Sequence, residues 1–213
     1  MTGDWAGFYD SLAADYDDAT ASDGWRVNDD AARLLRPLAL SPTRVLDLGA
    51  GTGQTSTMLR ELYGPVDLTL VDPSARMLEV AGEKALGDLV VDDADGFLRR
   101  TTERWDLVVA LGFLELMPDV SDLLRLAASR LTPDGHLLVS HEPLLDTGVQ
   151  ASFVSRTRGG LEVHRRSSAE LERTAAAYGL VRAAAVEIPA FERTDGDGHA
   201  VQEIVVWSIA GAG

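Results

Sequence analysis

The feature that most constrains this fold is a short apolar run that stops abruptly in glycines. Val45-Leu46-Asp47-Leu48 leads into Gly49-Ala50-Gly51-Thr52-Gly53, and Thr55 to Tyr63 then reads as a helix stopped by Gly64-Pro65. Four apolar-rich residues followed by turn residues suit a strand buried on both faces. Three glycines in five residues let the chain reverse at the strand end with φ > 0, and they bring bare backbone close to whatever lies above it.

The same alternation repeats downstream. Asp67–Asp72 reads as a second strand, Ser74–Ala81 as a helix with Ser74 as its N-cap, and Leu89–Val91 as a third, short strand. Trp105–Leu111 is a fourth strand, Val120–Leu131 a helix closed by the Pro133-Asp134-Gly135 turn, and His136–Ser140 a fifth strand. Ser167–Tyr178 is a helix ended by Gly179. Val181–Ile188 and Val201–Ile209 follow with only a loop between them, so they read as an antiparallel pair at one edge. Strands alternating with helices imply an α/β fold: a Rossmann-like, doubly wound seven-stranded sheet with right-handed crossovers and an antiparallel edge strand. Before it, Phe8, Leu12 and Tyr16 recur at helical spacing and Ala31–Leu40 reads as a second helix, which gives an N-terminal helical cap over residues 1–40 and a main domain over 41–213.

Composition narrows the function. The 213 residues carry 34 acids and 19 bases, a formal charge of −15, which opposes a binder of nucleic-acid phosphates. Cysteine is absent, so no disulfide framework or thiolate site exists, and four histidines form no metal-ligand spacing; no metal is expected. No apolar run spans a bilayer and the first residues lack the layout of a signal peptide, so a cytoplasmic protein without a membrane partner is expected, as monomer or homodimer. The single lysine, Lys84, stands among 18 arginines.

The strand ends then describe a ligand. The loop spacing is G-x-G-x-G, not the G-x-G-x-x-G of dinucleotide sites, and Asp47 stands two residues before the first glycine. A carboxylate there suits a positive amino group better than a pyrophosphate. Asp72 ends the second strand, 19 residues beyond Gly53, where a carboxylate can accept hydrogen bonds from both ribose hydroxyls. Asp92-Asp93-Ala94 follows the third strand and can meet the amine and ring of an adenine. A tight turn with no ligand is the plainer reading of the glycines taken alone.

With these features the sequence resembles the class I S-adenosylmethionine-dependent methyltransferases over roughly residues 9 to 209. Val45–Gly53 looks like the family's first motif, Val71-Asp72-Pro73-Ser74-Ala75-Arg76-Met77-Leu78 like its second-strand motif, and Trp105–Glu115 like its fourth. The resemblance implies S-adenosylmethionine as cofactor, with Asp72 on the ribose, Met77 and Pro73 beside the adenine, and Asp93, rather than Asp92, at the adenine amine. It places Asp47, Gly49, Ala50, Gly51, Thr52, Gly53, Leu111 and Gly112 around the methionine part. Phe8–Asp17 looks like the N-terminal signature of small-molecule members, in which Tyr16 closes over the methionine part. No Asn-Pro-Pro-Tyr-type motif follows the fourth strand, where Leu111-Gly112-Phe113-Leu114 stands, so bases and protein amides are disfavoured as acceptors.

The implied reaction is direct methyl transfer to oxygen or nitrogen of a small molecule. Candidate bases are His141 and Glu142 after the fifth strand, and Tyr9 from the cap; Glu115 is a further acid, though it equally suits a helix-dipole partner. The Pro143–Arg166 connection reads as a loop with Arg156, Arg158, Arg165 and Arg166, which would attract an anionic acceptor such as a carboxylate, or simply balance local charge in solvent. Three rivals stand beside this reading: a non-methylating enzyme that uses the bound cofactor to position its substrate, a non-catalytic scaffold, and a nicotinamide oxidoreductase.

Overall fold

The computed structural model describes residues 5–144, 153–158, 161–192 and 199–211, with side chains for 5–144, 162–189 and 201–211. Seven strands form one sheet: β1 (Arg44–Leu48), β2 (Asp67–Asp72), β3 (Asp88–Val91), β4 (Trp105–Ala110), β5 (Leu131–His141), β8 (Leu180–Glu192) and β9 (His199–Ile209). Their order is β3-β2-β1-β4-β5-β9-β8. The first five are mutually parallel, and β9 runs against both of its neighbours. This is the expected doubly wound sheet. Its order reverses beside β1, so the ends of β1 and β4 diverge into a crevice where a ligand can sit.

Alternation along the strands divides the core in two. Val45, Leu68, Leu70, Leu107, Val109 and Leu138 face a layer built from α3 (Val27–Leu35), α4 (Gln54–Tyr63) and α5 (Ala75–Glu83). Leu46, Leu48, Val71, Val108 and Val139 face the opposite layer, formed by α6 (Ala94–Arg100), α7 (Ser121–Arg130) and α8 (Ser168–Ala176). β1 and β4 are apolar on both faces because both faces are covered.

The N-terminal segment differs from the two helices expected. It breaks into α1 (Trp5–Leu12), α2 (Tyr16–Ser22) and α3, with Pro37 in a 3-10 turn that follows α3. The supposed Phe8/Leu12/Tyr16 face is split by the break between α1 and α2, and α1 buries none of its residues completely. α3, in contrast, is part of the core: Val27, Ala31 and Leu35 are fully buried. The cap is held by acids instead of apolar burial. Asp17 of α2 accepts hydrogen bonds from Thr52 Oγ1 and Gln54 Nε2 and pairs with Lys84 Nζ at 2.8 Å. Asp10 of α1 accepts from Ser74 Oγ and from the Arg76 backbone N–H. Both carboxylates sit at helix N-termini, those of α4 and α5, where negative charge is favoured.

Two further elements were not read from the sequence. α6 is capped by Asp93, whose side chain accepts from Gly96 N at 2.7 Å. The Pro143–Arg166 connection is not all loop, because β6 (Phe153–Arg158) pairs antiparallel with β7 (Leu161–Arg166). Among the described residues no helix is long and apolar enough to cross a membrane.

Candidate active site

The turn after β1 is held by its neighbour. Gly49 N and Ala50 N both donate to Val71 O, and Gly51 N donates to Asp72 Oδ2 at 2.8 Å. Gly49, Gly51 and Gly53 all have positive φ, at 68°, 54° and 83°. An added Cβ on Gly51 would meet nothing within 4 Å, so this backbone looks onto open space. On Gly49 a Cβ would lie 2.5 Å from the Phe113 ring, and on Gly53 it would crowd Leu86 and Ala81. Gly53 therefore serves packing, not the open face.

Above the loop lies a cavity of about 590 Å³. Gly49, Ala50, Gly51 and Thr52 form its floor, with Asp72 and Pro73 from the end of β2, Met77 from α5, Asp93 and Ala94 from the start of α6, and Leu111 and Gly112 from the end of β4. Tyr16 and Tyr9 line it from the cap. These are the greater part of the residues singled out from sequence, brought to one place by the strand ends.

Asp72 is the best-defined group. Its Oδ1 accepts from Ser74 N and its Oδ2 from Gly51 N, both at 2.8 Å. Burial raises its pKa, against the pull of these two hydrogen bonds, and the Asp10 charge adds to the rise. Each oxygen keeps a lone pair for a further donor. The Tyr16 phenol is pushed up to about 12 by burial and then by the charges of Glu115, Asp72 and Asp17, so it stays protonated and can donate but not act as a base.

Several residues are placed elsewhere. Asp47 does not line the cavity: it is 1% exposed on the α4 side of β1, where Ser56 Oγ donates to its Oδ2 at 2.7 Å. Burial pushes its carboxyl up to about 7, the Ser56 bond opposing and the Asp72 charge adding. Asp92 turns away to pair with Arg100, leaving Asp93 at the cavity. His141 and Glu142, expected as bases, are also not brought to the cavity. His141 Nε2 lies 2.8 Å from Glu203 Oε2 on β9, and Glu142 is paired with Arg165 of β7 at 2.6 Å. With these partners from β9 and β7, each is 1% exposed. Burial works against the Glu203 charge, but hydrogen bonds from His141 and Ser168 outweigh it and lower its pKa.

The arginine expectation also changes. Arg165 is spent on Glu142, and Arg166 is buried and donates to the carbonyls of Leu114 and Met117. Neither lines the cavity. The Arg156 and Arg158 side chains lie outside the described residues. Sequence reading missed the cavity's Phe113, Leu116 and Met117, which this Arg166 contact supports from behind; their only signal was an apolar run just past a strand end. Among the described residues no group of three or more His, Asp or Glu could hold a metal.

Comparison with known proteins assigns the family. Residues 24–182 match the family model described as a methyltransferase domain, and the chain belongs to that family. It is 36% identical over 113 residues to a ubiquinone biosynthesis O-methyltransferase of Azorhizobium caulinodans, covering 51% of this chain and 43% of that one. It is 32% identical over 117 residues to a trans-aconitate 2-methyltransferase of Rhizobium etli, covering 55% and 45%. The matched stretch thus spans less than half of these curated relatives. Among solved structures, the fold resembles a Burkholderia thailandensis 1,6-didemethyltoxoflavin-N1-methyltransferase bound to 1,6-didemethyltoxoflavin and S-adenosylhomocysteine. The TM-score is 0.72 at 16% identity, covering 96% of this chain and 87% of that one.

The Asp47 environment gives a pH signature. Its folded pKa near 7 stands above its ordinary 3.8, so over that window the native state holds a proton that the unfolded chain has released. This group therefore lowers stability as pH rises from about 4 to about 7, with no further change above. Asp47→Asn is expected to flatten that part of the Tm–pH curve, matching the parent at pH 4 and exceeding it at pH 8. A Tm difference independent of pH would contradict the buried protonated carboxyl.

Proposed function

We propose that this protein transfers a methyl group from S-adenosylmethionine to oxygen or nitrogen of a small-molecule acceptor, as a cytoplasmic enzyme working as a monomer or homodimer. The observation that carries the reading is Asp72, a carboxylate held by two backbone N–H groups at the rim of an open glycine loop. The residues present fit the cofactor. Asp72 has lone pairs for two ribose hydroxyls, Pro73, Met77 and Ala94 offer apolar flanks for an adenine, and Asp93 offers an acceptor for its amine. The open face at Gly51 leaves room for the amino-acid portion.

S-adenosylmethionine, when bound, supplies an electrophilic sulfonium methyl. The chain contributes position. The Tyr9 and Tyr16 rings, 6.0 Å apart and nearly perpendicular, form a wall that orients an acceptor and excludes water. Tyr16 remains a hydrogen-bond donor at neutral pH. Among the described residues no histidine lines the cavity. The intact loop and Asp72 speak against a degenerate scaffold, and the G-x-G-x-G spacing against a nicotinamide enzyme.

Transfer is tested by incubating the protein with methyl-labelled S-adenosylmethionine and a small-metabolite fraction. Label moving into a product one methyl heavier is the expected result; an acceptor changed without gain of mass would favour the non-methylating rival. Asp72→Ala is expected to weaken S-adenosylhomocysteine binding by about 30- to 150-fold, equivalent to about 2–3 kcal/mol for lost charge-assisted hydrogen bonds. Unchanged affinity would remove Asp72 from the site. His141→Gln is expected to lower thermal stability but keep the turnover rate within about threefold, whereas loss of a general base would cost about 10²- to 10⁴-fold.

A further inference from the structure

Much of the cavity's remaining lining is aromatic. Trp5 and Tyr9 of α1 stack with centroids 6.2 Å apart and 27° between planes, and Tyr9 meets Tyr16 edge-on. Trp25, just before α3, lies against Gly112: a Cβ added there would sit 3.1 Å from the indole. Phe113 covers Gly49 in the same way.

The charge of the cavity has one sign. Among the described lining residues every formally charged one is an aspartate: Asp72, Asp93, Asp95 and Asp119. Asp95 Oδ1 is buried with no hydrogen-bond partner, and burial first, then neighbouring carboxylates, raises its pKa despite Arg99. Three bases of the surrounding elements are committed elsewhere: Lys84 to Asp17, Arg165 to Glu142, and Arg166 to the backbone of Leu114 and Met117. Field lines from like charges concentrate in such a cleft, and the chain's charge of −15 adds to them. Among the described lining residues a carboxylate entering it would meet no cationic side chain. A cationic group would meet carboxylates and the negative faces of indole and phenol rings.

Resting on the methyltransferase reading, we propose that the acceptor is a planar aromatic compound carrying a positively charged amine and no carboxylate. Trp25, Tyr9 and Trp5 are its ring contacts, and Asp95 and Asp119, the lining aspartates that the cofactor does not use, set its charge preference. This departs from the trans-aconitate relative, whose named substrate is a polycarboxylate.

Three probes with one ring and different charge test this: tyramine, tyrosol and 4-hydroxyphenylacetate, titrated calorimetrically into the protein saturated with S-adenosylhomocysteine. Tyramine is expected to bind about tenfold more tightly than 4-hydroxyphenylacetate, with tyrosol between them and the gap narrowing as salt rises. Trp25→Leu is expected to weaken tyramine more than it weakens S-adenosylhomocysteine. Equal or tighter binding of 4-hydroxyphenylacetate would overturn the charge preference. Binding of none of the three to the loaded protein would overturn the aromatic assignment. Failure of S-adenosylhomocysteine itself to bind would instead overturn the cofactor reading, and this inference with it.

Discussion

The site depends on the way the end of β2 grips the loop after β1. Val71 O takes the N–H groups of Gly49 and Ala50, and the Asp72 carboxylate takes those of Gly51 and Ser74. One strand end thereby fixes a glycine turn in a left-handed conformation, starts α5, and leaves a carboxylate at the cavity rim. Without the first three of these bonds the turn would carry unpaired N–H groups, which is costly. The same contacts explain why the glycines are needed, since the φ values of 68°, 54° and 83° suit no other residue well.

A second set of acids attaches the cap to this frame. α1 has little apolar anchorage, and its Asp10, with Asp17 of α2, reaches the N-termini of α5 and α4. Burial works against the Asp17 charge, but hydrogen bonds from Lys84, Thr52 and Gln54 outweigh it and hold its pKa below the usual value. The aspartate-rich N-terminus is thus not only a solvated face. Some of its charges are structural, and the chain's single lysine is spent on one of them. Trp5 and Tyr9 of α1 and Tyr16 of α2 reach the cavity because these carboxylates hold their helices there.

The sheet was legible because its signals are local: apolar runs of strand length, turn residues, and Ser74 as a cap that indeed accepts from Met77 N. The cavity lining was legible for a related reason. In a doubly wound sheet the strand ends open on the crevice, so Asp72 and Gly51 could be placed there from spacing, and Asp93 from the family resemblance. What failed was everything decided by long-range pairing. His141 looked like a base because it follows a strand, but β9 runs beside it and supplies Glu203. Glu142 and Arg165 each looked available until β7 brought them together. Asp47 stands on the strand face turned toward α4, a fact of alternation that the loop motif obscures. The break between α1 and α2 hid because Phe8, Leu12 and Tyr16 keep helical spacing across it. The β6–β7 hairpin has a signal in Gly159-Gly160 between two β-prone runs, but the arginines in those runs suit a solvated loop equally well.

The central claim is that the glycine loop and Asp72 form a site for a sulfonium nucleoside, not a nicotinamide dinucleotide. Calorimetric titration of the purified protein with S-adenosylmethionine, S-adenosylhomocysteine and NADH tests it most directly. The account predicts binding of the first two at micromolar concentrations and none of NADH. Binding of NADH with neither sulfur compound would contradict it.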